Sequence, residues 1–201
     1  MNFTNKGRII RNCLEKFDDY HMYKKYLEAD FYHKCAYCDI SDSMITTPFE
    51  IDHFIPINTF EGIRDDLKTD YNNLVLSCKK CNNSKRSKFK GNITSANVTN
   101  ELFYDPVLID YNTIFYRNEV GQILSSDAKG KNMIQMLKLY RPIHSTGWVV
   151  EKVKSMISLL GHKIDAELNE LKKAKLTLAQ EKLKIYHSDL FSIFIANYNI
   201  D

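Results

Sequence analysis

Five cysteines are the first residues of this 201-residue chain to invite chemistry, and four of them are spaced for a metal. Cys35 and Cys38 form one Cys-x-x-Cys turn and Cys78 and Cys81 a second, with 39 residues between the pairs. Each turn presents two thiolates. Two turns complete a tetrahedral four-sulfur site for Zn2+ with no position left for water, so its expected role is structural. The gap is longer than in a plain zinc ribbon and encloses the most chemically suggestive residues, Asp52 and His53, on an apolar run from Phe49 to Ile57 that reads as a short strand. An ideal strand sends neighbouring side chains to opposite faces. Both residues can then serve one reactive atom only if the chain bends or they approach it from two sides. The bland reading of the pair is a hydrogen-bonded surface couple. From Lys79 to Lys90 the chain carries Lys79, Lys80, Lys85, Arg86, Lys88 and Lys90 with no acid among them. Such a run beside a candidate metal site suits a phosphate backbone, although a charge run alone also describes a solvated face.

The elements that must position these groups follow from the pattern. Leu74 to Leu76 is a compact apolar run leading into Cys78, expected as the second strand of a hairpin with Phe49 to Ile57. A helix is expected over Asn82 to Lys90, which has no Pro or Gly before Gly91. Asn58 to Asp70, with Glu61, Asp65, Asp66 and Asp70, is expected as a polar surface loop. Ahead of the knuckles, Ile9, Ile10, Cys13, Leu14, Phe17 and Tyr20 recur at three- and four-residue steps and predict an amphipathic helix from Asn5 to Asp30, with Cys13 as a small core residue. His21 is read as surface, and His33 is not needed as a ligand once four thiolates are present.

Beyond Gly91 the chemistry-bearing motifs stop. A turn is expected at Phe103 to Pro106, a hairpin from Thr113 to Leu124 around Asn118 to Gly121, and a helix capped by Asp127 running to Tyr140. Further helices are expected over Trp148 to Leu160, ended by Gly161, and over Ile164 to Ile185; the tail from Leu190 to Ile200 is too apolar to stay in water. His144, His162 and His187 stand apart and read as structural or surface residues. With 44% apolar residues the chain can bury one good core, and its net charge of +3 identifies no partner. No long apolar span or secretory leader is visible, and the cysteine usage suits a reducing compartment, so a cytoplasmic protein without a membrane segment is expected.

Four pieces in order, CAYC, IDHFIP, NLVLSC and CNNSK, resemble the HNH endonucleases over roughly residues 31 to 90. The resemblance implies an α+β, mostly helical fold: a ββα-metal core stapled by the four-cysteine zinc site. The chain then divides into an N-terminal helix (1–30), the HNH core (31–90) and a C-terminal hairpin and helical region (91–201). It implies His53 as the general base, Asp52 as a ligand of a catalytic divalent ion, and Asn73 as the residue that holds the hairpin loop and orients the histidine. The founding pattern ends in His where this chain has Asn82. In the HNH domains of RNA-guided nucleases an Asn ligates metal at the corresponding place, which leaves Asn82 or its neighbour Asn83 as the ligand. Lys85, with Arg86 and Lys88, is expected at the phosphates. Carboxylate and amide oxygens form a hard donor set that favours Mg2+ or Mn2+. DNA is the implied substrate, with RNA left open. The C-terminal layout, a Tyr-Asp-Pro turn, a hairpin with Gly and a helix ending in Leu-Tyr-Arg, is similar to small bacterial HNH proteins of anti-phage systems of Septu or retron type, and implies an ABC-type ATPase partner. Two other classes remain: a zinc-dependent nucleic-acid-binding module with a spent centre, and an interaction subunit docking through its apolar tail.

Overall fold

The computed structural model describes residues 1–4 and 7–200 and separates into two units, Met1–Tyr140 and Arg141–Asp201. The fold is α+β and mostly helical; among the described residues there are two small two-stranded sheets, both in the first unit. Among the described residues no helix is long and apolar enough to cross a membrane.

The first unit is centred on an antiparallel hairpin, β1 (Glu50–His53) and β2 (Leu74–Ser77), in the register Glu50↔Ser77, Ile51↔Leu76, Asp52↔Val75 and His53↔Leu74. Every residue of β2 is buried, as expected of the unbroken apolar run Leu-Val-Leu. Between the strands the chain is more ordered than a polar loop. A single turn of helix, α2 (Ile57–Phe60), and a 3-10 turn at Asp65–Lys68 bury Phe60 and Leu67. The sequence shows acids here, but two apolar side chains decide the path. Helix α3 (Lys79–Lys85) follows β2 directly. It begins at the second knuckle, earlier than the expected Asn82, and stops five residues short of Lys90. Arg86 adopts a left-handed conformation, with φ of 49°, and ends it.

The expected helix over 5–30 is largely absent. Asn5 and Lys6 lie outside the described residues, and 7–18 have no regular structure; helix begins with a 3-10 turn at Tyr20–Tyr23 and continues as α1 (Lys24–Asp30). The periodic residues do not share a face, since Ile9 is buried while Leu14 is 96% exposed. Tertiary anchors override the weak local preference. The Arg11 guanidinium lies 4.8 Å from the Tyr71 ring centroid and 5.5 Å from that of Phe31, and its Nη2 donates to the Leu74 carbonyl at 2.5 Å. Asn12 Nδ2 donates to Asp30 Oδ1 at 3.0 Å, holding the arm against α1.

A second hairpin, β3 (Tyr116–Arg117) and β4 (Ile123–Leu124), turns through Gly121 at φ of 81°, a value that suits glycine. Asn2 bridges to Tyr116, and the Phe3 ring is buried beside Tyr111 and Phe115. Asp127 caps α4 (Ala128–Met136) by accepting from the Gly130 amide at 2.6 Å. That helix stops before the expected Tyr140.

The second unit is a helical pair, α5 (Pro142–Ala166) and α6 (Glu170–Ile200). Gly161 does not terminate α5. A methyl group there would approach Gln180 Nε2 to 3.2 Å, so the glycine marks a close approach of α6 rather than a helix end. The helix expected over Ile164 to Ile185 starts later: Ile164–Ala166 end α5, 167–169 separate the two helices, and the lysine-rich stretch from Glu170 joins the apolar tail in one 31-residue helix. Its inward residues Phe194 and Tyr198 are buried, which accounts for the apolar tail.

Candidate functional site

The two knuckles meet. Cys35, Cys38, Cys78 and Cys81 are all buried, with their sulfurs within 4.8 Å of one another. A Zn–S bond of about 2.3 Å implies a tetrahedral edge of about 3.8 Å, and Cys38 Sγ lies 3.8 Å from Cys78 Sγ. The four donors therefore fit a tetrahedral ion of the zinc type. Backbone bonds fix the first turn: the Asp39 amide donates to the Cys35 carbonyl at 3.1 Å and the Cys35 amide to Ile40 at 2.9 Å. The Ala36 amide reaches the Leu76 carbonyl at 2.8 Å and ties the knuckle to β2. Burial raises the Cys35 thiol, but hydrogen bonds from the other three cysteines outweigh it and hold Cys35 well below the ordinary thiol range. Burial, then the bonds to Cys35 and Cys78, push Cys38 up, and the bond to Cys35 leads the rise at Cys81.

The knuckle also reaches the hairpin through a residue whose role spacing alone does not reveal. Tyr37, between Cys35 and Cys38, donates its hydroxyl to Asp52 Oδ2 at 2.6 Å. Burial, followed by the Asp52 charge, raises the phenol well above its usual range and keeps it a donor. The other oxygen, Oδ1, accepts from Lys85 Nζ at 2.9 Å, and the same ammonium donates to the His53 carbonyl at 2.7 Å. Lys85 is fully buried and Asp52 is 6% exposed. Burial raises the Asp52 carboxyl against the opposing pull of Lys85 and Tyr37. The resemblance places Lys85 at the phosphates, whereas the structure buries it against Asp52. Three residues beyond Asn82, it lies on the side of α3 that meets β1, and its charge is neutralised inside the protein. Arg86 is exposed, and Lys88 is half-buried with its ammonium on the Ser84 carbonyl.

Glu50 lies two residues before Asp52 and shares its side of β1. Its Oε2 accepts from Asn82 Nδ2 at 2.7 Å. That bond spends the nitrogen end of the amide and turns Oδ1 away from Glu50. Asn82 is half-buried against β1 whereas Asn83 is exposed, so Asn82 is the amide brought to the strand. A carboxylate oxygen has two acceptor positions. Tyr37 and Lys85 take one on each oxygen of Asp52, and one remains on each. Asp52 and the Asn82 amide oxygen thus have the hard-donor chemistry that a Mg2+-type ion requires.

His53 turns to the other side, as strand alternation demands. Its Nε2 lies 2.9 Å from the Lys68 carbonyl, and its ring meets Tyr20 edge-on at 4.8 Å. A carbonyl only accepts, so Nε2 carries the proton and the neutral ring keeps its lone pair on Nδ1. Burial holds the His53 pKa below its ordinary value, against the opposing influence of the Lys68 carbonyl and Asp52. Asn73 fixes the loop that supplies this carbonyl. Its Oδ1 accepts from the Ile55 amide at 2.8 Å, while Nδ2 donates to the Leu67 carbonyl at 3.0 Å and to Ile55 at 3.2 Å. The Phe54 amide in turn donates to the Asn73 carbonyl at 2.7 Å.

Four contributors escaped the sequence reading: Tyr37, Glu50, the Lys68 backbone and Arg117. The last is buried, and donates to Phe3, Gly121 and Cys38 carbonyls, joining the N-terminal arm and the second hairpin to the first knuckle. Tyr37 and Glu50 had local signals, a phenol inside the Cys-x-x-Cys turn and an acid two residues before Asp52. Nothing local marked Arg117.

The stretch assembled here, two knuckles, a hairpin and a helix, coincides with the residues that a known family describes. A sequence model of the HNH endonucleases matches residues 35–88. The match covers about a quarter of the chain and makes this stretch similar to an HNH endonuclease domain. No curated protein and no solved structure matches the chain.

Proposed function

We propose that the chain is a metal-dependent endonuclease that hydrolyses phosphodiester bonds in DNA, with His53 as general base. One observation carries the reading: the Lys68 carbonyl, in a loop that Asn73 holds through the neighbouring Leu67 carbonyl, fixes His53 with its Nδ1 lone pair available. His53 and the buried carboxylate of Asp52 are adjacent on β1 but turn to opposite sides, so they would approach one phosphate from two sides. Burial keeps the imidazole neutral at physiological pH, the state in which Nδ1 takes a proton from an attacking water. Asp52 and Asn82 would hold Mg2+ or Mn2+, and Glu50 takes the nitrogen of the Asn82 amide and leaves its oxygen as the donor for an ion. A divalent ion so bound supplies charge stabilisation at the phosphate and its leaving oxygen. The four cysteines hold Zn2+ in the structural role and set Tyr37 against Asp52.

The basic residues left on the surface after Lys85 is removed, among them Arg86, Lys79 and Lys90, supply the backbone contact. A basic strip does not discriminate sugars, and DNA rests on the family type of residues 35–88. A cytoplasmic role in anti-phage defence beside an ATPase rests on the resemblance of the C-terminal layout and is tested by co-purification from the native host. The central experiment is plasmid cleavage with Mg2+ by the full chain and by His53→Ala. Cleavage lost in a variant that retains its zinc and its unfolding temperature supports the reading. Cleavage retained in that variant refutes it, and the absence of cleavage in the wild type with either metal favours the binding module instead.

A further inference from the structure

Helix α6 has two apolar sides and uses one of them. Gln180 Nε2 donates to the Ile157 carbonyl of α5 at 3.0 Å and marks the inward side, which continues to the buried Phe194 and Tyr198. On the opposite side Leu171, Leu178 and Ile185 recur every seven residues, two helical turns, and Ile193 continues the line. They are 68%, 54%, 65% and 52% exposed, and the adjoining Tyr186 is 50% exposed. Lys182 and Asp189 lie on the same line, both exposed, and neither forms an ion pair among the described residues.

The order of these residues is self-complementary. Place a second α6 antiparallel to the first, with a two-fold axis between Ile185 and Tyr186. Leu178 then faces Ile193, Ile185 faces Tyr186, and Lys182 faces Asp189, each pair occurring twice by symmetry. A parallel pairing in register would set lysine against lysine and aspartate against aspartate. The four apolar side chains per copy that this pairing covers, each about half exposed, bury on the order of 800 Å2 in total, below the usual size of a stable specific interface, so the association is weak.

We propose that α6 is a dimerisation helix, and that the second copy of this chain binds it antiparallel through Leu178, Ile185, Tyr186 and Ile193 with Lys182 opposite Asp189. The interface is small, so the dimer dissociates on dilution.

Light scattering after gel filtration, and sedimentation equilibrium, on the zinc-loaded full chain test this. The wild type is expected to be dimeric at about 50 µM and to dissociate toward low micromolar concentrations. Leu178→Glu combined with Ile185→Glu gives a monomer of unchanged helical content. Lys182→Glu sets two pairs of like charges face to face and weakens the dimer about tenfold at low salt; adding Asp189→Lys restores it. A wild type that stays monomeric overturns the proposal, including the case in which α6 captures a different protein. So does a dimer that survives the double glutamate variant, or a charge swap that fails to restore association.

Discussion

Replacing Lys85 by methionine asks whether the buried ion pair on α3 organises the centre. Met keeps the length of the side chain and removes the ammonium. Lys85 Nζ is fully enclosed and donates at 2.9 Å to Asp52 Oδ1 and at 2.7 Å to the His53 carbonyl. Removing one partner of a buried pair strands the other, at a typical cost of about 3–5 kcal/mol. The Tyr37 hydroxyl stays on Oδ2, and a stranded Asp52 can escape its charge by protonation, so the lower end of that range, about 3 kcal/mol, applies. For a cooperative unit of this size that is a fall in melting temperature of about 10 °C.

The pH dependence distinguishes this cause from lost packing. Burial already raises Asp52 in the wild type, and without Lys85 it rises further. A carboxyl whose folded pKa exceeds its unfolded value favours folding when protonated. Its contribution therefore declines as pH rises from about 3.9 through the folded value. The deficit of Lys85→Met should be smallest in acid and grow toward neutrality. Urea titrations of the zinc-loaded protein across pH, with Asp52→Asn and the double variant completing the cycle, measure it. A Lys85→Met variant within 0.5 kcal/mol of wild type at pH 7 refutes the reasoning. So does a deficit that is unchanged when Asp52 is already Asn, because the cost is then not electrostatic.

Three further outcomes are expected. Asn73→Ala removes the bonds to Ile55 and Leu67, should cost about 2–3 kcal/mol by chemical denaturation, and should lower cleavage further than the stability loss explains, because the carbonyl that orients His53 is released. The acid limb of single-turnover cleavage should have its midpoint below the ordinary histidine value of about 6.5, because burial depresses His53; the stability contributed by its neutral form is complete above that value and lost as pH falls through the lower folded one. Cys78→Ser should release zinc and abolish cooperative unfolding of the first unit while leaving the helical signal of α5 and α6 largely in place, as read by metal analysis and circular dichroism.

What residue spacing reveals, and what it hides, follows from the range of the forces involved. The knuckles, the two strands and the asparagine after the second knuckle are marked by local rules: thiolate spacing, apolar runs and a helix that must follow a turn. The N-terminal arm obeys a rule that acts across the chain. Its apolar period favours helix, yet in the non-helical arm Arg11 gains two aromatic faces and a β2 carbonyl, and those partners lie 20 to 63 residues away. Lys85 fails for the same reason. Within the basic run it resembles its neighbours, and only the register of α3 on β1 shows that it is the residue turned inward. Helix α6 is the instructive opposite case. Its two apolar sides average out along the sequence and make it look weakly amphipathic, so neither side draws attention. Once Gln180 fixes which side meets α5, the remaining line of leucine and isoleucine has no function within the hairpin. A large apolar line left exposed to water favours non-specific association, and covering it with a second copy would remove that cost while setting Lys182 against Asp189.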